Sequence, residues 1–162
     1  LSNSHFENLI NAHGRQVLNV ALRVLGDAEL AHDVHQEVFL AIWRRWHTYN
    51  GDMNWRAYLY RVTIRKAMEQ ARRRRPVPVP AEPVITTAGP DMALRTKELQ
   101  DQLQAALAKL PERQAEVFVL SRVEGLDHAA IAEILGCSPN TVRVHLHRAV
   151  KQLAREMSDY LQ

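Results

Sequence analysis

The chain has 162 residues, 46% apolar and 24% charged, with 21 Lys and Arg against 18 Asp and Glu for a formal net charge of +3, a composition that fits one medium globular domain or two small ones. A single cysteine, Cys137, excludes an internal disulfide and a cysteine-only zinc site. No run approaches the ~18 consecutive apolar residues of a membrane span and nothing at the N-terminus reads as a signal peptide, so the chain is read as soluble and cytoplasmic.

Ser4-His5-Phe6-Glu7 has the form of a capping box. Phe6, Leu9, Ile10, Val17, Leu18, Ala21, Leu22 and Leu25 then form an apolar stripe that ends at Gly26-Asp27, predicting a first helix. A second helix is predicted from Ala28 to Trp46, with Ala31, Val34, Val38 and Ile42 inward. A second stripe on it, Asp33, Gln36, Glu37, Leu40 and Arg44, mixes acid, amide and leucine. It reads either as a solvated face or as a surface for a protein partner. Asn50-Gly51 is a turn signal. Asn54 is placed to cap a third helix, from Trp55 to about Arg75, with Trp55, Tyr58, Leu59 and Val62 inward.

Five of the seven prolines fall between Pro76 and Pro90, and VPVPAEPVITTAG lacks helical periodicity. It reads as an extended linker. Beyond it, Leu99, Leu103, Leu107 and Leu110 repeat at helical spacing up to Pro111. Another helix follows from Glu112 to Val123. No segment alternates with period two long enough to predict a strand, so the fold class is all-α: two small helical domains, residues 1–75 and 96–162, joined by a Pro-rich linker over residues 76–95.

The charges follow this division. Residues 1–75 carry +5, and residues 76–95 and 96–162 carry −1 each. Within residues 53–75, eight basic groups accompany only Glu69, while Ser138 to Arg155 contains four basic groups and no acid. Two concentrated basic segments flank the linker. They are either footprints for phosphates or two solvated helix faces.

The most informative stretch is LDHAAIAEILGCSPNTVRVHLHRAVKQLA, Leu126 to Ala154. Asp127 caps a short helix with Ile131, Ala132 and Leu135 inward; Gly136 ends it in the left-handed conformation. Ser138 caps the next helix with Pro139 at its first position. Val142, Leu146, Ala149, Val150 and Leu153 face inward. The small Ala132, Gly136 and the apolar Val142 match a helix-turn-helix, against the plainer reading of a helical hairpin with no DNA role. The second helix presents Asn140, Thr141, Val144, His147 and Arg148 near its start, with Arg143 and Lys151 placed for phosphates. Cys137 reads as a small residue filling the turn. His32 and His35 have a spacing compatible with metal binding but also with a solvated face, and no third ligand is evident, so no cofactor is expected.

DVHQEVFLAIW, then WRAYLYRV, a linker, and LPERQAEVFVLSRVEGLDHAAIAEILGCSPNTVRVHLHRAVKQL resemble, in order and spacing, the bacterial sigma factors. The two-domain length is similar to that of the extracytoplasmic-function (ECF) type, which has only sigma regions 2 and 4. The resemblance covers most of the chain outside the linker. It implies a non-enzymatic subunit that binds core RNA polymerase, directs it to promoters and melts the minus-ten element. For core polymerase it implies Asp33, Gln36, Glu37, Leu40 and Trp43, with Phe39 and Trp43 open between partner contact and core. For the minus-ten element it implies Tyr49, Asn50, Asn54, Arg56, Arg61 and Arg65; Trp55 and Tyr58 stay open between base stacking and packing, and Arg72 to Arg75 between phosphate contact and solvent. For the minus-thirty-five element it implies Ser138, Asn140, Thr141, Arg143, Val144, His147, Arg148 and Lys151. The helices around Leu110 to Val123 would rest on the polymerase flap.

The resemblance also implies an anti-sigma partner, which would hold a cytoplasmic factor at the inner membrane where that partner is anchored there. Family members usually begin with a further helix before the segment matching SHFENLINAHGRQ, whereas Leu1 starts almost at that segment. Ile64-Arg65 stands where Arg-Asn is often found, and His147 where a larger apolar group can occur. The rival reading is a helix-turn-helix regulator that acts on duplex DNA without core polymerase.

Overall fold

In a computed structural model, residues 2–73 and 90–161 are described. All regular structure among them is helical. The segment VPVPAEPVITTAG, Arg74 and Arg75 lie outside them.

Helix α1 (Asn3–Leu25) starts two residues earlier than the sequence pattern implied. Its N-cap is Ser2, whose backbone N–H donates to His5 Nδ1 at 3.3 Å, so His5 plays the part expected of Glu7. Gly26, at φ 64°, ends the helix by donating its N–H to the Leu22 carbonyl. Asp27 then caps α2 (Ala28–Arg44) by accepting from Leu30 N–H at 3.0 Å. Helix α2 stops two residues short of Trp46. That residue opens a 3₁₀ turn, Trp46–Thr48, and buries its ring while its indole N–H donates to the Ser2 carbonyl. Asn54 caps α3 (Trp55–Arg73), accepting from Ala57 N–H at 3.1 Å.

These three helices enclose one core. Val17 and Leu25 of α1, Val34, Val38 and Ile42 of α2, and Leu59 and Ile64 of α3 are fully buried in it. The periodic stripes placed most of these residues correctly. Leu22 differs: it is 41% exposed, lying at the edge of the stripe.

Helix α4 (Pro90–Ala108) begins inside the segment read as linker. Only its last turns enter a core, through Ala106 and Leu107, followed by Leu110 in the turn. Leu99 and Leu103, on the same helical repeat as Leu107 and Leu110, are exposed. Helix α5 (Glu112–Phe118) runs into a π turn, Val119–Val123, in which Glu124 N–H reaches the Val119 carbonyl. The expected single helix to Val123 is therefore widened at its end.

Helices α6 (His128–Leu135) and α7 (Pro139–Glu156) form the helix-turn-helix, and α8 (Ser158–Leu161) closes the chain. Asp127 accepts from Ala130 N–H at 2.8 Å, Gly136 takes φ 67°, and Ser138 Oγ accepts from Thr141 N–H at 3.1 Å, as the sequence predicted. Ile131, Ala132, Leu135, Val142, Leu146, Ala149 and Leu153 are buried; Val150, expected inward, is exposed. The two halves do not stand apart. Helix α3 packs on α1 and α2 with one side and on α4, α5 and α6 with the other.

Candidate nucleic-acid and partner interfaces

The first face is a groove between α1 and α2, about 630 Å³ in volume. Phe39 forms its floor and is 5% exposed, packed into the core from below. Trp43 and Leu40 lie on its wall, 42% and 47% exposed. Phe6 from α1 braces the wall: its ring centroid is 4.8 Å from that of Trp43 and 6.4 Å from that of Phe39. Gln36 lies exposed on the rim, and Asp33 one turn before it is exposed too. Glu37 is half-buried and accepts from Gln70 Nε2 of α3 at 3.3 Å, so it ties α2 to α3 as well as facing outward.

Sequence reasoning missed His35, Phe6 and Ile10 as groove residues. His35 packs its ring 4.9 Å from Phe39 and lies so close to Gly14 that a Cβ there would sit 3.3 Å from Nε2. Burial, and secondarily the neighbouring His32, hold its pKa below the ordinary imidazole value. Among the described residues, no group of three or more His, Cys, Asp and Glu side chains is arranged to hold a metal ion.

The second face is aromatic. Trp46, Tyr49, Trp55 and Tyr58 cluster where the 3₁₀ turn meets the start of α3, with Trp46 and Trp55 stacked at 5.7 Å and Tyr49 edge-on to Trp55 at 5.1 Å. Tyr49 and Tyr58 share a hydroxyl–hydroxyl hydrogen bond of 3.0 Å. Burial, reinforced by that bond, pushes the Tyr49 phenol up to about 12. Trp55 and Tyr58 are half-buried. Asn50, Asn54 and Arg56 are exposed around them, and Arg56 lies 5.6 Å over the Tyr60 ring. Arg61 is half-buried with an unpartnered Nε. Arg65 does not join this face, because its Nε donates to Glu116 of α5 at 2.9 Å. Arg72 is exposed and its Nε donates to the Ala108 carbonyl.

The third face is α7. Asn140, Arg143, His147, Arg148 and Lys151 are exposed along it, Thr141 and Val144 are half-buried, and Ser138 is engaged as the cap. Arg143 Nη2 donates to Asn140 Oδ1 at 2.9 Å, one turn away. No acid lies on α7 before Glu156. His145, half-buried behind this face, is held below the ordinary value by burial, then by Arg148 and Arg113. Cys137 is half-buried in the turn and packs on the core, consistent with a filling role.

Residues 9–77 match the Sigma-70 region 2 family, and residues 100–153 match Sigma-70 region 4. The RNA polymerase sigma-H factor of Pseudomonas aeruginosa is 28% identical, over 96% of this chain and 88% of its own. The RNA polymerase sigma-E factor of Streptomyces coelicolor is 30% identical, over 94% of this chain and 85% of its own. The chain belongs to the ECF-type RNA polymerase sigma factors. A sigma factor is a transcription-initiation factor and not an enzyme. The all-α fold agrees: the sigma factor RpoE of Bartonella quintana, solved in complex with the anti-sigma factor NepR, superposes with a TM-score of 0.51 at 17% identity, covering 95% of this chain and 97% of that one. No helix among the described residues is long and apolar enough to cross a membrane.

Proposed function

We propose that this sigma factor divides its work between three faces: the α1–α2 groove for core polymerase, the aromatic cluster with the start of α3 for the minus-ten element, and α7 for the minus-thirty-five element. Residues 1–75 form the first functional unit, 76–95 the connection and 96–162 the second. The observation that carries this reading is the exposure of Leu40 and Trp43 beside Gln36 and Asp33 on α2. A regulator that reads duplex DNA through its helix-turn-helix alone has no use for a half-exposed tryptophan and leucine walling a groove on the other half of the chain.

The chemistry of each face follows from its residues. The groove offers a partner helix an apolar floor and wall with a carboxylate and an amide at the rim, a surface suited to an amphipathic segment with basic flanks. At the second face, the accessible parts of Trp55 and Tyr58 accept unstacked bases while Arg56 and Arg61 track the backbone. Melting is then driven by binding the unpaired strand, with no nucleotide hydrolysis. On α7, Arg148 and Asn140 are placed for base edges and Arg143 and Lys151 for phosphates.

An anti-sigma partner would act by covering the groove; the likeness in fold to a sigma factor solved with an anti-sigma factor supports this. The factor itself works in the cytoplasm and reaches the inner membrane only through such a partner. The test is run-off transcription with purified core polymerase. A promoter-specific transcript is expected, lost when Gln36→Ala and Glu37→Ala are combined. No transcript, with core binding indifferent to those substitutions, would leave the helix-turn-helix regulator as the function.

A further inference from the structure

Glu116 is an unusual residue for α5. It is 1% exposed, yet it is a carboxylate. A buried carboxylate persists only where cations and donors replace its water. One cation is local: Arg113, three residues earlier on the same helix, donates Nη1 to Glu116 Oε2 at 3.2 Å. The other is remote: Arg65 of α3 donates Nε to Glu116 Oε1 at 2.9 Å and also pairs with Glu112.

Further polar contacts cross the same seam. Arg72 Nε donates to the Ala108 carbonyl, and Arg23 Nη1 reaches both Glu124 oxygens at 2.8 and 3.0 Å. The Gln104 amide donates to the Leu25 carbonyl. Beside Arg65 the seam opens into a small cleft of about 60 Å³, where Ile64 and Met68 meet Glu69, Glu112 and Glu116. The halves are thus joined by ion pairs and side-chain hydrogen bonds around an apolar core to which both contribute buried residues.

We propose that Glu112 and Glu116 form a latch that holds the C-terminal half on α3 in the free protein and competes with DNA phosphates for Arg65. The inference rests on the reading that α3 faces promoter DNA. Two carboxylates at Arg65 exclude a phosphate from the same place, since like charges this close repel. Opening does not orphan the buried acid, because Arg113 moves with it. The latch therefore has two satisfied states, closed on Arg65 and open on Arg113 alone, as a switch requires. Salt shifts it toward opening, because the Arg65 side chain is 39% exposed at the seam and partly screened.

The test uses the full chain in a Cys137→Ser background, with dyes on Asn11→Cys of α1 and Ala154→Cys in the last turn of α7, C-terminal to the residues assigned to DNA there, both positions being exposed. Energy transfer reads the separation of the halves at low and high salt. Glu112→Gln combined with Glu116→Gln is expected to raise the open population about tenfold or more, the usual scale for losing a charge-assisted hydrogen bond. It should tighten binding of a mixed-sequence single-stranded DNA oligonucleotide by a similar factor. Glu112→Lys, at the exposed rim, gives the same direction without touching a buried group, so misfolding of the Glu116 variant does not blunt the test.

Unchanged transfer in both variants and across salt overturns the latch. Opening without tighter oligonucleotide binding overturns the competition for Arg65. Neither result bears on run-off transcription by the wild-type chain, which tests the sigma reading independently.

Discussion

Leu40→Ala combined with Trp43→Ala removes the exposed wall of the groove. A tryptophan side chain presents up to about 250 Å². Trp43 is 42% exposed, so roughly 100 Å² of it is left for a partner. At ~25 cal/mol per Å² that area is worth ~2.5 kcal/mol, and the exposed half of Leu40 adds ~1 kcal/mol. Association does not return the whole of such a sum, so a loss of about 100-fold in affinity for core polymerase is expected. The assay is fluorescence anisotropy of the labelled sigma factor titrated with purified core enzyme. Leu22→Ala is the control: Leu22 has nearly the same exposure but lies on α1 outside the groove, and its removal should leave affinity within twofold, in line with a change that touches no partner. Circular dichroism confirms that the double variant stays folded. Wild-type affinity in a folded double variant, or an equal loss in the Leu22 control, would refute the assignment of this groove to the polymerase.

Arg148→Ala should weaken promoter binding by ~1–3 kcal/mol with the loss concentrated at one position of the minus-thirty-five element, whereas Lys151→Ala should weaken all sequences alike and reduce the salt slope by about one; competition binding with single-base promoter variants separates the two. Ser138→Ala removes the hydroxyl that accepts from Thr141 N–H and should destabilise the fold by ~1 kcal/mol, read from the urea midpoint. Burial, and secondarily His32, hold the folded-state pKa of His35 below the ordinary 6.5. As pH falls through 6.5 the unfolded chain takes up the proton first, so stability drops over that range and levels off only below the folded-state pKa. His35→Gln should flatten this part of the curve, measured as urea midpoints on either side of 6.5.

The helix-turn-helix was legible almost residue by residue because its signals are local. Asp127 and Ser138 cap within three residues, and Gly136 turns the chain through its own φ of 67°. Periodicity found the buried face of α2 for the same reason. It could not separate Phe39 from Trp43, which sit four residues apart on one stripe; Phe39 is buried, with the His35 ring 4.9 Å away, while Trp43 keeps an exposed side despite its contact with Phe6. Nor could it show that Leu99 and Leu103 stay exposed while Leu107, on the same repeat, is buried. That depends on where α3 ends against α4, a contact between residues far apart in sequence.

Charge has the same limit. Placed along the chain, the basic groups of residues 53–75 read either as a phosphate footprint or as a solvated helix face. In three dimensions they divide. Arg56 stays exposed beside the aromatic cluster, while Arg65 and Arg72 turn to the C-terminal half, where Glu116 and the Ala108 carbonyl receive them. Glu116 looks in sequence like half of an ordinary surface pair with Arg113, since the two are three residues apart on one helix. It is buried because α3 closes over it. Two of the acids that offset the basic segment, Glu112 and Glu116, therefore stand on α5 against α3, while α7 carries none before Glu156. The net charge of −1 over residues 96–162 is thus compatible with a DNA-binding face on α7, because Glu112 and Glu116 are engaged by Arg65 at the seam.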